Sequence, residues 1–377
     1  MTKTIRLILL FAVLAAAALM LAPGVCAEQD AKQDILDSLR DYAGLDALED
    51  NLPDSLKQSD LQGLDMEDGN LFSAVGGKLA DMLLSALGGG LVFFAGLISL
   101  IAVSAILSAV GENMSDGTVK SAFTYVSALA LCLYLYNYVS QLFSLTAAYL
   151  RDINVYVAAV MPSLSLLNAA GGGNATAVIQ SSGTASAIAI LETLLSSVIA
   201  PVMRFSFAFI IVGCIGDIDL SGFARGIRRA VTAGISFVMT LLSAVLYLQS
   251  GLAAAADGVA LRSVRFAASS FVPVIGSMLG DAMGAIFSSI KYLKSAAGLF
   301  CIAAVLFLIA VPVIRLTVAK IFLALAEFAC SALGLDGQGN LIKEIKDSLN
   351  ILLAAAAASG VFFILALTVF MRTNLAI

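Results

Sequence analysis

Four polar residues interrupt long apolar stretches of this sequence, and their types could support transport chemistry. Glu192 stands in SAIAILETLLSSV and has no basic neighbour on its predicted helix, while Asn168, Asn174 and Asp281 lie beside proline- or glycine-bearing segments. A charge at the bilayer centre costs at least a few kcal/mol, so by default it faces a protein interior or a water path. These residues are therefore candidates for a polar conduit; the alternative is interhelical pairing that only fixes the packing.

Two apolar segments, 153–172 and 270–290, carry proline or glycine and are predicted to be broken helices. The first contains Pro162 and runs into the triple glycine 171–173, and the second contains Pro273. Broken segments at matching places in two halves of a membrane chain predict discontinuous helices that line a cavity. Two kinked membrane spans would explain the same residues, and this alternative stays open.

Four arginines indicate an internal duplication. At an ungapped offset of 111 positions, Arg151 coincides with Arg262 and Arg204 with Arg315. The same offset aligns further pairs: Leu150 with Leu261, Ile153 with Val264, Pro162 with Pro273, Pro201 with Pro312, and Tyr136 with Tyr247. Arg204 and Arg315 could also snorkel to an interface. An internal repeat in a membrane chain is typical of a transporter- or channel-like body.

The composition excludes most enzyme classes. The 377 residues are 60% hydrophobic and only 12% charged, with neither histidine nor tryptophan, so the chain lies mostly in lipid. Histidine-based metal sites and catalytic triads are excluded. Neither a phosphate-binding loop nor a nucleophile elbow is present, and basic residues are too few for nucleic-acid binding. We predict a non-enzyme without cofactor or metal, whose five cysteines are small buried apolar residues.

The N-terminus has the pattern of a secretory leader. Residues 1–27 combine a basic start, an apolar run and the small-residue site Val25-Cys26-Ala27, which predicts a signal peptide; a lipoprotein signal and a retained anchor are the alternatives. Residues 28–82 then form an acidic extracytoplasmic region, with thirteen acidic and four basic residues between 28 and 80. Apolar residues at helical spacing predict one or two amphipathic helices there, serving as a spacer or as a docking surface.

The rest of the chain is predicted to be an all-α, polytopic membrane body. We divide it into a first transmembrane helix and loop (83–119), repeat 1 (120–230), repeat 2 (231–341) and a C-terminal transmembrane helix (342–377). The strong spans are 85–107, 121–141, 176–198, 199–216, 232–250, 296–314, 316–334 and 351–371. Ten spans result if both broken segments cross, and eight if both are re-entrant. Ten keeps Arg225, Arg228 and Arg229 cytoplasmic, as the positive-inside rule favours.

The segment AAAADGVALRSVRFAASSFVPVIGSMLGDAMGAIFSSIKYLKSAAG at 253–298 resembles the signature region of the stage III sporulation protein AE family. The leader, the acidic head and VMPSLSLLNAAGGG in the first half fit the same plan. The resemblance covers roughly 85–371 and is most specific over 257–294. It implies no catalytic residues. It implies membership of the mother-cell assembly that joins the forespore across two membranes, beside the other A-operon proteins and forespore protein Q.

Two hypotheses of function remain open at this stage. In the first, the chain is a membrane component of a multiprotein conduit between mother cell and forespore, located in the mother-cell membrane and needed for late forespore gene expression. In the second, it is a self-sufficient secondary transporter whose repeats move about a site near Asn168, Asn174, Glu192 and Asp281. Co-purification with sporulation membrane proteins would favour the first, and solute movement by the isolated protein would favour the second.

Overall fold

The computed structural model describes residues 71–112, 117–170, 173–215, 221–271 and 276–372, and this part of the chain is almost entirely helical. The predicted signal peptide and residues 28–70 of the acidic N-terminal region lie outside the described residues. The helices are α1 (Leu71–Glu112), α2 (Gly117–Ala170), α3 (Asn174–Thr193), α4 (Ala200–Ile215), α5 (Ser221–Phe271), α6 (Gly276–Ala332) and α7 (Asp336–Arg372). The predicted all-α class is confirmed.

Five of these helices are long and apolar enough to cross a membrane. The qualifying stretches are Ala80–Gly111, Ser121–Ala170, Gly222–Val259, Cys301–Ala332 and Asp336–Met371. Large apolar side chains are exposed on their outer faces, for example Val92, Tyr247 and Phe328, where a bilayer would cover them. The chain is thus a polytopic helical membrane protein, as the composition predicts.

Several segments that hydropathy separates are joined in the structure. The predicted spans 121–141 and 153–172 belong to one helix, α2, and the spans 296–314 and 316–334 both belong to α6. Between them the sequence is only locally more polar, at Arg151 and Asp152 in α2 and at Arg315 in α6. Polarity lowers a hydropathy average, but helices are usually broken by glycine or proline. Hydropathy therefore misplaced these two boundaries.

Between α3 and α4 the chain stays helical through a π-helical turn, Leu194–Ile199. The next residues are Ala200 and Pro201. Proline has no N–H to donate to the carbonyl four residues earlier, and its ring crowds that carbonyl, so a wider turn relieves the helix at this point. The predicted boundary between the spans 176–198 and 199–216 is thus a local change of helix type.

Buried apolar side chains form two main clusters, which follow one another along the long helices. The first joins α1 and the first half of α2 to α6 and α7 near the α6–α7 turn, around Leu131 and Leu323. The second joins the later half of α2 to α3, α5, α6 and the end of α7, around Tyr156 and Phe363. The predicted burial of cysteines is confirmed for Cys132, Cys301 and Cys330.

The α6–α7 turn is built around Gly334, whose φ of 72° lies in the left-handed region. The Leu335 N–H donates to the Cys330 carbonyl at 2.9 Å, and the Gly334 N–H donates to the Ser331 carbonyl at 3.2 Å. These two bonds are the paired contacts of a Schellman motif, which ends a helix at a glycine. The turn lets α6 and α7 pack side by side as the central helix pair.

The internal duplication stays a prediction. Of the paired residues, Tyr136 and Tyr247 are both exposed. Val202 and Val313, which the same offset of 111 positions aligns, are both partly buried. The element order is compatible with a repeat, because a helix of more than fifty residues opens each predicted half, α2 in the first and α5 in the second.

Candidate functional site

The most distinctive local geometry lies at the break between α2 and α3. α2 ends at Ala170 and α3 begins at Asn174. The Gly173 N–H donates to the Asn168 carbonyl at 2.8 Å, and the Gly173 carbonyl accepts the Ala177 N–H at 2.8 Å. A Cβ atom at position 173 would lie 3.1 Å from the Asn168 carbonyl oxygen, which is tighter than ordinary van der Waals contact. The break therefore favours glycine.

The N-terminus of α3 is capped by Asp257, a residue of α5. The Ala175 N–H donates to Asp257 Oδ1 at 2.8 Å, and the Thr176 N–H donates to Asp257 Oδ2 at 2.9 Å. The first N–H groups of a helix have no partner within the helix, and they attract negative charge. Gly173, at the N-cap position, has no side chain that could serve them. The Asp257 carboxylate, about eighty residues away in the sequence, accepts the hydrogen bonds of these N–H groups instead.

The Asp257 carboxylate is 8% exposed, so its charge is held inside the protein. An ionised carboxylate that accepts two backbone N–H bonds is stabilised by both the bonds and the helix dipole. The contact also fixes α5 against the start of α3. Because a carboxylate of the protein already occupies this helix N-terminus, the helix end is not open to an external anion.

The predicted residues Asn168 and Asn174 flank this break. Asn168 is 3% exposed, and its Nδ2 atom has no hydrogen-bond partner among the described residues. Asn174 is the first residue of α3 and is exposed. Pro162 is also exposed, and α2 continues through it. The break thus lies after Ala170 and not at Pro162, since a membrane helix tolerates a proline when neighbouring groups satisfy the freed carbonyl.

Of the remaining candidates, the structure describes the side chains of two. Arg151 in α2 and Arg315 in α6 are exposed. Pro273 lies outside the described residues. For four further candidates the structure describes the helix but not the side chain: Glu192 in α3, Arg204 in α4, Arg262 in α5 and Asp281 in α6. The conduit role of all these residues stays a prediction.

Asp257 is the residue of this candidate site that sequence reasoning missed. It entered only as the first residue of the signature segment 257–294. Its signal was an acidic residue in the apolar, alanine-rich stretch AAAADGVA, which would need a partner inside the membrane. The partner could not be identified from sequence, because it consists of backbone N–H groups.

Ion pairs join α5, α6 and α7 in the section near the α6–α7 turn. Arg228 of α5 pairs with Glu344 of α7, and Lys346 of α7 pairs with Glu327 of α6. Lys320 of α6 donates to the Asn350 side chain of α7. Lys320 and Glu327 thus each bind a residue of another helix.

The match to a family model decides what this chain is. The model for stage III sporulation protein AE matches residues 61–374. The chain belongs to the stage III sporulation protein AE family. The family model covers every described residue.

A curated relative supports the same assignment. Stage III sporulation protein AE of Bacillus subtilis (strain 168) is 25% identical over 275 residues, which cover 72% of this chain and 69% of the relative. No solved structure matches the chain. Membership of this family implies that the chain has a role in sporulation.

Proposed function

We propose that this chain is an integral membrane component of a channel or secretion-like complex between mother cell and forespore. The complex would be required for endospore development and for late forespore gene expression. The observation that carries the proposal is the family match over residues 61–374. Its physical support is a multi-pass helical body with five apolar helices, together with a helix break whose buried charge lies in the protein interior.

The proposed location is the mother-cell membrane that surrounds the forespore. After signal cleavage the N-terminus is extracytoplasmic, so the acidic head lies between the two membranes. The proposed partners are the other stage III sporulation A-operon membrane proteins and, directly or indirectly, forespore protein Q. The charge distribution supports this orientation, because the head is acidic and the remaining chain carries a net positive charge, as a membrane body with basic cytoplasmic loops should.

The test combines a deletion with affinity purification. Deleting the gene in its endospore-forming host should abolish heat-resistant spores and leave vegetative growth unchanged. A tagged chain that restores sporulation should then co-purify with other A-operon membrane proteins from sporulating cells. A tagged, unrelated multi-pass membrane protein expressed at the same stage is the control. Normal sporulation without the gene would contradict the proposal.

A reconstitution experiment separates this proposal from the transporter hypothesis. The purified chain alone is incorporated into liposomes loaded with a mixture of small metabolites. We expect no solute-specific flux above that of empty liposomes, because the proposed conduit acts only with its partners. Saturable transport of one solute by the isolated chain would support a self-sufficient secondary transporter instead.

A further inference from the structure

One face of α3 is polar and buried. Thr176, Gln180 and Thr184 recur at intervals of four residues, which places them on the same side of the helix, and each is at most 4% exposed. On α5, Asp257 binds the start of α3, and the Gln249 amide oxygen packs against Gly183, one turn beyond Gln180. α3 and α5 therefore run antiparallel along a shared strip.

We call this strip the polar seam and define it by five residues: Thr176, Gln180 and Thr184 of α3, and Gln249 and Asp257 of α5. The Oε1 atoms of both glutamines are buried without a hydrogen-bond partner among the described residues. Gln180 Nε2 donates to the Val369 carbonyl at 3.5 Å, which is the outer limit of a hydrogen bond.

The other hydroxyl-bearing residues of these helices show how polar groups are usually accommodated here. Ser186, Thr232 and Thr240, for example, donate to the carbonyl four residues earlier in their own helix, at 2.8 to 2.9 Å. The two glutamine amides make no such hydrogen bond to a carbonyl of their own helix among the described residues. An unsatisfied buried polar group costs about 1–3 kcal/mol, and two of them beside a buried carboxylate need a hydrogen-bonding occupant.

We infer that the polar seam is a hydrated binding site for small hydrogen-bond donors, either neutral or cationic, and that it disfavours anions. The amide oxygens accept hydrogen bonds, the one formal charge is the Asp257 carboxylate, and neither α3 nor the stretch 230–261 of α5 contains a basic residue. Water is its ordinary occupant. This inference deepens the proposed function, because it names the lining and the charge preference of a path through the helical body.

The test measures the accessibility of Thr184→Cys to water-soluble thiol reagents. The variant is placed in a chain whose five native cysteines are replaced by alanine, and it is reconstituted without partners. Ile188→Cys is the matched control, because Ile188 lies one turn further along α3, is 6% exposed and belongs to the apolar cluster around Tyr156. A cationic methanethiosulfonate should modify position 184 about tenfold faster than its anionic analogue, and much faster than either reagent modifies position 188.

A second variant tests the geometry of the seam. A Cβ atom at position 183 would overlap the Gln249 amide, so Gly183→Ala should displace this amide and slow the modification of Thr184→Cys. If Thr184→Cys does not fold, as judged by gel filtration, Thr176→Cys on the same face replaces it. Modification of the seam position no faster than that of Ile188→Cys would overturn the inference, and so would a faster reaction with the anionic reagent.

The two proposals can fail separately. The accessibility measurement uses the isolated chain, whereas the proposed function is tested by co-purification and sporulation. If the seam positions are accessible but the tagged chain co-purifies with no sporulation membrane protein, the proposed function fails and the hydrated seam stands. If the chain forms a functional complex but the seam positions are inaccessible, the inference about the seam fails and the proposed function stands.

Discussion

At the scale of single residues, Asp257 combines several properties that are costly inside a membrane protein. It is acidic, it is almost fully buried, and it belongs to an otherwise apolar part of α5. Its two bonds to the Ala175 and Thr176 N–H groups offset this cost, because those N–H groups would themselves be unsatisfied at the start of α3. The carboxylate and the helix end therefore stabilise each other.

Replacing Asp257 should destabilise the protein in a graded way. Asp257→Ala removes both hydrogen bonds and should lower the free energy of unfolding by about 3 kcal/mol, while Asp257→Asn keeps one acceptor and should cost about half as much. Thermal unfolding can be followed with a thiol-reactive dye, since the chain has no tryptophan and Cys132, Cys301 and Cys330 are buried. Asp81→Asn, at an exposed position of α1, is the control. Equal melting temperatures for Asp257→Ala and the control would contradict the capping role.

At the scale of helices, pairwise packing is fixed by close contacts and by polar links between neighbours. Gly90 of α1 lies against Phe322 of α6, and Gly360 of α7 lies against Ile309 of α6, so a side chain at either glycine would overlap its neighbour. Arg228 of α5 reaches Glu344 of α7, and its side chain is only 8% exposed. The small residues permit close approach, whereas the ion pair determines which faces of α5 and α7 meet.

The Arg228–Glu344 pair should be more sensitive to mutation than the second ion pair. Arg228→Met leaves Glu344 without its buried partner and should cost about 3–5 kcal/mol. Lys346→Met is the matched control, because Lys346 and Glu327 are both more exposed, and it should cost about 1 kcal/mol. The double variant Arg228→Met/Glu344→Leu should recover most of the loss. Melting temperatures in one detergent measure these variants together with Glu344→Leu, and additive losses of the two single variants in the double variant would show that the two side chains do not interact.

At the scale of the whole molecule, the long helices continue through both apolar clusters. α2 has 54 residues, about 80 Å of helix, whereas a bilayer's hydrocarbon core is about 30 Å thick. Its first half packs with α1 and α6, and its second half packs with α3 and α6. One continuous helix thus connects the ion-paired section near the α6–α7 turn with the section that contains the polar seam.

The continuity of α2 can be tested at Thr146. The hydropathy prediction places this residue in a loop between two spans, but in the structure it is 1% exposed and donates to the Leu142 carbonyl at 2.8 Å. In a cysteine-free background, Thr146→Cys should therefore resist a water-soluble maleimide in the purified protein. Asp336→Cys, at the exposed start of α7, should react quickly. Equally fast labelling at position 146 would show that this residue lies in a loop and that α2 is two separate spans.

The sequence predicted the elements better than their junctions. The all-α membrane class and the burial of the cysteines both followed from composition and polarity. A break near the triple glycine was one of two alternatives, beside two kinked spans, and the structure ends α2 at Ala170 and begins α3 at Asn174. The joining of spans within α2 and α6 was not predicted, because a short rise in polarity resembles a loop in hydropathy. α6 also continues through Pro312, which lies next to the predicted boundary.

The sequence alone determined that the protein lies in a lipid bilayer, that it is helical and which family it belongs to. These properties depend on composition and on local residue order. Only the tertiary structure decided where its buried polar groups meet. The Asp257 carboxylate serves backbone N–H groups about eighty residues away, and Gln249 faces Gly183 across two helices. The physical reason is that these partners are backbone N–H groups and a glycine without a side chain. The sequence does not mark them as partners, and they become neighbours only when the helices pack.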